Sequence, residues 1–68
     1  MKNLIKVERA RHNMTQAELA EKVKVARQTI IAIEAGRFVP STMLAFKIAT
    51  VLHCKTDEIF ELEDIAVR

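Results

Sequence analysis

The segment from Thr15 to Glu34, TQAELAEKVKVARQTIIAIE, constrains the fold more than any other part of this 68-residue chain. Thr15 and Glu18 form a capping box, because the side chain of each can satisfy an exposed backbone N–H of the other. Apolar residues follow at helical spacing, and a second helical pattern begins at Arg27 after a turn over residues 24–26. The segment therefore predicts two short helices joined by a three-residue turn.

The rest of the chain is helix-compatible and shows no alternation typical of strands. The only Gly and the only Pro lie in one short stretch, GRFVPS. We expect Asn13 and Gly36 to end helices in the left-handed conformation. N-caps are expected at Asn3, Ser41 and Thr56. The sequence predicts an all-α fold of five helices, over residues 4–12, 16–23, 27–35, 42–52 and 57–61.

Apolar side chains at helical spacing predict a single small core. The residues expected to face inward on helices 2 to 5 are Leu19, Ala20, Val23, Ile30, Ile33, Leu44, Ala45, Ile48, Leu52, Ile59 and Phe60. On helix 1 the apolar stripe is expected to begin with Leu4, Ile5 and Val7. Phe38 is expected to pack down beside Pro40. Met43 and Phe46 lie off the stripe of helix 4, where they either form a surface for a partner or fill the core.

Length and composition indicate one domain over residues 1–68, with a core at 4–60 and an acidic tail at 61–68. One Cys allows no intrachain disulfide, which suits a reducing cytoplasm. No run approaches the ~20 apolar residues of a membrane span, and the N-terminus lacks a signal-peptide pattern. Residues 1–55 carry a charge of +6 and residues 56–68 a charge of −4. This asymmetry is compatible with a face that meets a polyanion, although solvated surface charge explains it as well.

The two helices of the opening segment meet the packing demands of a helix-turn-helix. Ala20 is small enough for the helices to touch, and Val25 provides an apolar plug in the turn. Ile30 and Ile33 lie three apart on the second helix and face back. One continuous outward face remains on that helix. It consists of Arg27, Gln28, Ile31, Ala32 and Ala35.

These motifs, TQAELAEKV, RQTI, IEAGR and the PS before helix 4, resemble the Cro/CI (Xre) family of lambda-repressor-like helix-turn-helix proteins. The resemblance covers residues 4–60 and is closest to compact members without an effector domain. It implies five helices, homodimeric binding of double-stranded DNA at a two-fold operator, and transcriptional regulation, usually repression. The sequence departs from the family at Lys24, where Gly is usual, at Ala26, where Ser or Thr is common, and at Ile31, which is usually polar.

The outward face predicts the residues that contact DNA bases. Arg27 can pair with guanine and Gln28 with adenine on the major-groove edge, and the long arm of Arg27 can alternatively reach a phosphate. Ile31 and Ala32 lie on the same face, where Ile31 either contacts a thymine methyl or is an ordinary surface residue.

Phosphate contacts are predicted for Arg11, Gln16, Thr29 and Arg37. The backbone N–H and helix dipole at the start of helix 2 favour an anion near Gln16, and the resemblance assigns the same role to this position. For Arg37, a solvated loop charge is the alternative. The resemblance also implies a partly buried structural ion pair between Arg9 and Glu34.

Four apolar residues near the C-terminus are candidates for a dimer interface. They are Ile59, Phe60, Leu62 and Ile65. His53 and Cys54 are adjacent but too few for a metal site, so no metal, cofactor or small-molecule effector is predicted, and no catalytic constellation supports an enzyme. Two alternatives to a DNA-binding regulator are an antitoxin that also autoregulates and a protein-interaction module that has lost DNA binding.

Overall fold

The computed structural model of the chain describes residues 3–60, which contain five α-helices. The helices are α1 (Ile5–Arg11), α2 (Gln16–Val23), α3 (Arg27–Glu34), α4 (Thr42–Val51) and α5 (Thr56–Ile59). The all-α prediction is confirmed, and each predicted helix end lies within two residues of the observed one. α2 packs against both α3 and α4, and α5 packs against α4.

Side-chain caps fix the starts of α2 and α4. The Thr15 hydroxyl accepts a hydrogen bond from the Glu18 backbone N–H at 3.0 Å, and the Glu18 carboxylate accepts one from the Thr15 N–H at 2.8 Å. The predicted capping box is therefore present. The Thr15 backbone N–H, and after it the Thr15 hydroxyl, stabilise the ionised Glu18 carboxylate and so lower its pKa. Ser41 caps α4 by accepting from the Leu44 N–H at 3.2 Å.

Four residues with positive φ reverse the chain at helix ends. Asn13 and Gly36, with φ of 53° and 77°, adopt the predicted left-handed conformation. Lys24 is also left-handed, with φ of 61°. A side chain with a Cβ costs roughly 1–2 kcal/mol in this region, which glycine avoids. His53, with φ of 57°, has the same conformation, which the sequence did not indicate.

The helices enclose one core of closely packed apolar side chains. Its members are Ile5, Leu19, Ala20, Val23, Ile30, Ile33, Ala45, Ile48, Ala49, Leu52, Ile59 and Phe60. Met14, Val25 and Leu44 pack against this core from partly buried positions. Within residues 3–60, no helix is long and apolar enough to cross a membrane.

The two ends of the described segment meet beside α3. The Leu4 N–H donates to the Ile59 carbonyl at 3.0 Å, and Asn3 forms an isolated antiparallel bridge with Phe60. The Asn3 side-chain amide donates to the Ile33 carbonyl at 2.8 Å. Leu4, rather than Asn3, is the N-cap of α1, although the Asn3 amide oxygen still accepts from the Ile5 N–H. Asn3 therefore ties the end of α3 to the start of α1.

The predicted apolar stripe of α1 is wrong in part. Ile5 is buried, but Leu4 and Val7 are about half exposed, at 48% and 52%. Glu8 is buried instead. Residues three apart share a helix face, so burying Ile5 also turns Glu8 inward and rotates Val7 towards solvent.

The loop before α4 and the first turns of α4 also differ from the prediction. Pro40 is buried, but Phe38 does not pack down beside it and remains 47% exposed. Pro40 occupies the inward position of this short loop, which leaves Phe38 outside. Met43 and Phe46 are exposed, so they do not fill the core.

The last helix is a single turn whose side chains face inward. Thr56 is its first residue rather than its N-cap, which is Lys55, and the Glu58 carboxylate accepts from the Lys55 N–H at 2.9 Å. Ile59 and Phe60 are almost fully buried in the core of their own chain. Their side chains pack within their own chain, and their role in a dimer interface stays a prediction. The other candidates, Leu62 and Ile65, lie outside the described residues.

Candidate nucleic-acid interface

The start of α3 presents two polar side chains to solvent. Arg27 and Gln28 are exposed, whereas Ile30 and Ile33, on the opposite face, are completely buried. Because the two buried isoleucines fix the rotation of the helix, the exposed pair has a defined direction. α3 follows a tight turn in which the Val25 N–H donates to the Ala20 carbonyl at 3.0 Å.

The remaining predicted residues of the reading face are less open. Ile31 and Ala32 are half-buried, and only Ala35 at the end of the face is exposed; Thr29, a predicted phosphate contact beside the face, is also half-buried. The face therefore combines two long polar side chains at its first turn with a shallow, mostly apolar surface along its second. A helix with this profile can approach a flat surface closely along its length.

An inward-facing ion pair joins α1 to α3. The Arg9 guanidinium donates from Nε to one carboxylate oxygen of Glu34 at 2.6 Å and from Nη2 to the other at 3.0 Å. The side chains are only 13% and 8% exposed. This two-point geometry is the strongest form of an arginine–carboxylate contact, because both oxygens are held in one plane. It limits rotation of α3 about its own axis.

The same ion pair extends to α2 through two further hydrogen bonds. Arg9 Nη1 donates to the carbonyl of Met14 at 2.9 Å, just before α2 begins. The side-chain amide of Gln16 donates to Glu34 at 3.1 Å. Glu34 therefore accepts from Arg9 on α1 and from Gln16 on α2. Three helices are held in register around one carboxylate.

An open groove runs from the start of α2 to the start of α3. Its lining includes Arg9, Asn13, Met14, Thr15, Gln16 and Arg27. The groove brings the exposed Arg27 to the same surface as Gln16, the predicted phosphate contact. A cation and an amide on one concave surface, beside a helix N-terminus, suit an anionic ligand.

The chain is similar in sequence to known proteins. A family model described as helix-turn-helix matches residues 5–59, nearly all of the described segment. The chain belongs to the Cro/CI (Xre) family of helix-turn-helix proteins. The predicted membership and the lambda-repressor-like fold are thereby confirmed.

Relatives of this helix-turn-helix chain occur in archaea and bacteria. It is 56% identical to an uncharacterised HTH-type transcriptional regulator of Methanocaldococcus jannaschii over 94% of this chain and 97% of the relative. It is 47% identical to another such regulator from Archaeoglobus fulgidus, over 94% and 90% of the two chains. A third, from Bacillus subtilis, is 47% identical over 94% and 97%. The chain thus spans almost the full length of each.

Two departures from the usual Cro/CI sequence have visible structural consequences. Lys24 takes the left-handed position that Gly usually holds in the family. Ala26 is the N-cap residue of α3 in extended conformation, but it has no side-chain oxygen that could accept a hydrogen bond. The fold is retained in both cases, because Ala20 and Val23 before the turn and Ile30 after it are buried in the core.

The other predicted phosphate contacts lie apart from the groove beside Arg27. Arg11 is exposed and approaches the Glu8 carboxylate at 3.7 Å. It lines a separate groove with His53 and Glu58, so the structure does not bring it together with Gln16. Arg37 is exposed in the loop after α3. Because Arg37 follows the end of α3, its predicted contact with a phosphate would lie beside the C-terminal end of that helix.

Neighbouring histidines occur on the side of this helix-turn-helix that carries Arg11. The rings of His12 and His53 lie 5.5 Å apart, and His12 Nε2 lies 2.9 Å from the Leu52 carbonyl. Burial raises the pKa of the nearby Cys54 thiol, and Glu8 adds to this effect. Among residues 3–60, no three His, Cys, Asp or Glu side chains are arranged to hold a metal ion. These residues connect α1 to the end of α4.

Sequence reasoning missed one positioning residue, Asn3. Its amide contacts the Ile33 carbonyl across 30 positions of sequence. A short polar residue before a helix reads as an N-cap, and no local pattern indicates a partner so far along the chain. The contact depends on the packing of α1 against α3, which the local sequence around Asn3 does not indicate.

Proposed function

We propose that this protein is a sequence-specific regulator of transcription that binds double-stranded DNA as a homodimer and represses from a two-fold operator. α3 enters the major groove of each half-site. The two half-sites lie about one helical turn apart, ~34 Å. Repression results when the bound dimer blocks polymerase at a promoter, in the cytoplasm. The printed names of the relatives, HTH-type transcriptional regulators, support the regulatory part of this proposal.

The observation that carries the proposal is the exposed pair at the start of α3. Arg27 and Gln28 point to solvent from a helix whose opposite face is fully buried. Arginine can donate two parallel hydrogen bonds to guanine, and glutamine can pair with both a donor and an acceptor of adenine. Each such contact discriminates against a wrong base by roughly 1–3 kcal/mol. Ile31 and Ala32 are the proposed apolar contacts to thymine methyl groups.

Gln16 is the proposed anchor on the sugar–phosphate backbone. Its amide nitrogen carries two hydrogens, and Glu34 accepts only one of them in the hydrogen bond at 3.1 Å. The second can be donated to a phosphate oxygen. Arg27 is exposed and lines the same groove as Gln16, so it supplies positive charge near the phosphate. Arg37, Thr29 and Arg11 are proposed as flanking contacts.

In vitro selection of bound DNA followed by footprinting tests the proposal. We expect a two-fold symmetric site that is protected on one face of the duplex at two positions one helical turn apart. The affinity is expected to fall steeply with salt, because phosphate contacts release counterions. A selection that yields no enriched sequence would show that the protein does not read DNA.

Single substitutions separate reading from anchoring. Arg27→Ala and Gln28→Ala should each relax the preference at one base position of each half-site and weaken binding to the selected site. Glu21→Ala is the matched control, since Glu21 is exposed on α2 but lies outside the groove beside Arg27. If Arg27→Ala and Gln28→Ala behave like this control, α3 is not the reading helix. The protein-interaction alternative would then be favoured.

A further inference from the structure

A shallow apolar groove lies between the end of α2 and the exposed side of α4. Its lining includes Lys22, Lys24, Phe46, Lys47 and Val51. Phe46 is 54% exposed, so much of its ring faces water. An aromatic side chain contributes a large apolar area to any contact that covers it. The groove therefore has the apolar content expected of a docking surface.

The rim of this groove is positively charged. Lys22, Lys24 and Lys47 all line it and are all exposed. Glu21 is also exposed on α2, but it does not line the groove. An apolar floor with a cationic rim selects a ligand that carries apolar side chains and negative charges together. The DNA backbone offers charge without apolar side chains and fits the floor poorly.

Residues 61–68, ELEDIAVR, have the complementary composition. The apolar side chains are Leu62, Ile65 and Val67, and the acidic ones are Glu61, Glu63 and Asp64. With Arg68 included, the segment has a formal charge of −2. It continues directly from Phe60, the last residue that the structure describes. No stretch of eight residues within residues 1–60 carries a net charge this negative together with three large apolar residues.

We propose that residues 61–68 of each chain dock in the groove between α2 and α4 of a second copy. This rests on the homodimer of the proposed function and names its contact. Two copies related by a two-fold axis make the contact twice, which is the usual arrangement in dimers. α2 has eight residues and is about 12 Å long, so the groove at its end is well separated from Gln16 at its start. No residue that lines the groove is a proposed DNA contact, so docking leaves those contact side chains free.

Sedimentation equilibrium of the full chain, with and without charge reversal, tests this contact. Lys22→Glu combined with Lys47→Glu should weaken the dimer by about tenfold or more, because two attractive pairs become repulsive in each of two contacts. The matched control is Lys6→Glu combined with Lys55→Glu. It changes the net charge equally, at exposed lysines outside the groove. Circular dichroism verifies that each variant remains folded, as expected for exposed positions.

A charge swap makes the test specific. Glu61→Lys combined with Asp64→Lys should weaken the dimer in the otherwise unchanged chain and should restore it in the chain that carries Lys22→Glu and Lys47→Glu. Phe46→Ser should weaken it even at high salt, where the charges are screened. A dimer that is weakened by the lysine reversals but not restored by the swap would overturn the docking of residues 61–68.

The remaining outcomes distinguish this inference from the proposed function. A dimer that none of these variants weakens overturns the docking contact and leaves operator binding as a dimer intact. A chain that is monomeric at all concentrations, and that binds the selected DNA as a monomer, overturns the homodimer and the docking contact together. If the lysine reversals weaken DNA binding and leave the dimer unchanged, the groove contacts DNA instead, which also overturns the inference.

Discussion

Removing the mostly buried charge of Arg9 should destabilise the protein more than removing an exposed charge does. The substitution Arg9→Met retains an unbranched side chain of similar length and removes the guanidinium. Three hydrogen bonds are lost, two to Glu34 and one to the Met14 carbonyl. The Glu34 carboxylate, only 8% exposed, keeps just the hydrogen bond from Gln16 among those that the structure describes.

The expected cost follows from that burial. Removing one partner of a buried pair typically costs 3–5 kcal/mol, because the other charge is left uncompensated. At roughly 0.05–0.15 kcal/mol per residue, a chain of this size has a total stability of about 3–10 kcal/mol. Arg9→Met should therefore remove a large fraction of the free energy of unfolding. Urea denaturation followed by circular dichroism measures this loss.

The matched control is Arg11→Met on the same helix. Arg11 is 69% exposed and lies 3.7 Å from its partner Glu8, so its ion pair should contribute less than about 1 kcal/mol. The double variant Arg9→Met with Glu34→Leu leaves no unpaired charge. Its loss in free energy of unfolding should therefore be smaller than the sum of the losses in the two single variants. If Arg9→Met costs no more than Arg11→Met, the ion pair does not stabilise the arrangement of α1 and α3.

Three further predictions concern single positions in the helix ends and the groove near Arg11. Lys24→Gly should raise the free energy of unfolding by roughly 0.5–1 kcal/mol, because glycine adopts the left-handed conformation without strain; an unchanged or lower urea midpoint would contradict this. Hydrogen bonds from Thr15 lower the pKa of Glu18 from its ordinary value of 4.5, so the ionised carboxylate stabilises the fold above that pH and this stabilisation is lost as the pH falls through the folded pKa. The difference in urea midpoint between the wild type and Glu18→Gln should therefore disappear in strongly acidic solution; a difference that persists there would argue against this linkage. Burial raises the pKa of Cys54, so iodoacetamide should alkylate the folded chain at mildly alkaline pH more slowly than the chain unfolded in urea, and equal rates would show that the thiol is not protected.

The helices were predictable because local sequence determines them. Thr15 with Glu18, and Ser41 before α4, mark helix starts by side-chain chemistry that acts over three residues. Gly36 and Asn13 mark helix ends by their tolerance of positive φ. The buried face of α3 followed from the spacing of two isoleucines. All of these signals lie within one or two turns of the feature that they predict.

The features that the sequence did not reveal depend on distant partners. Glu8 is buried because α1 is rotated to bury Ile5, and it lines one groove with Cys54, a distant neighbour that no pattern within α1 indicates. The contact of Asn3 with the end of α3 crosses 30 positions. Phe38 is a large apolar residue, so the sequence predicts that it is buried. It remains exposed because Pro40 occupies the inward position of the loop.

The size of the reading surface itself argues for a dimer. Arg9 and Glu34 are directed inward, so α1 fixes the position of α3 and adds no base contact of its own. In the proposed function, base recognition depends mainly on Arg27 and Gln28, which together would supply roughly 2–6 kcal/mol of discrimination at one half-site. Specific complexes are typically favoured over non-specific ones by about 4–10 kcal/mol. A single copy reaches only the lower part of that range, whereas two copies bound to a two-fold site double the contribution. We therefore expect site selection in a genome to require that two copies bind together.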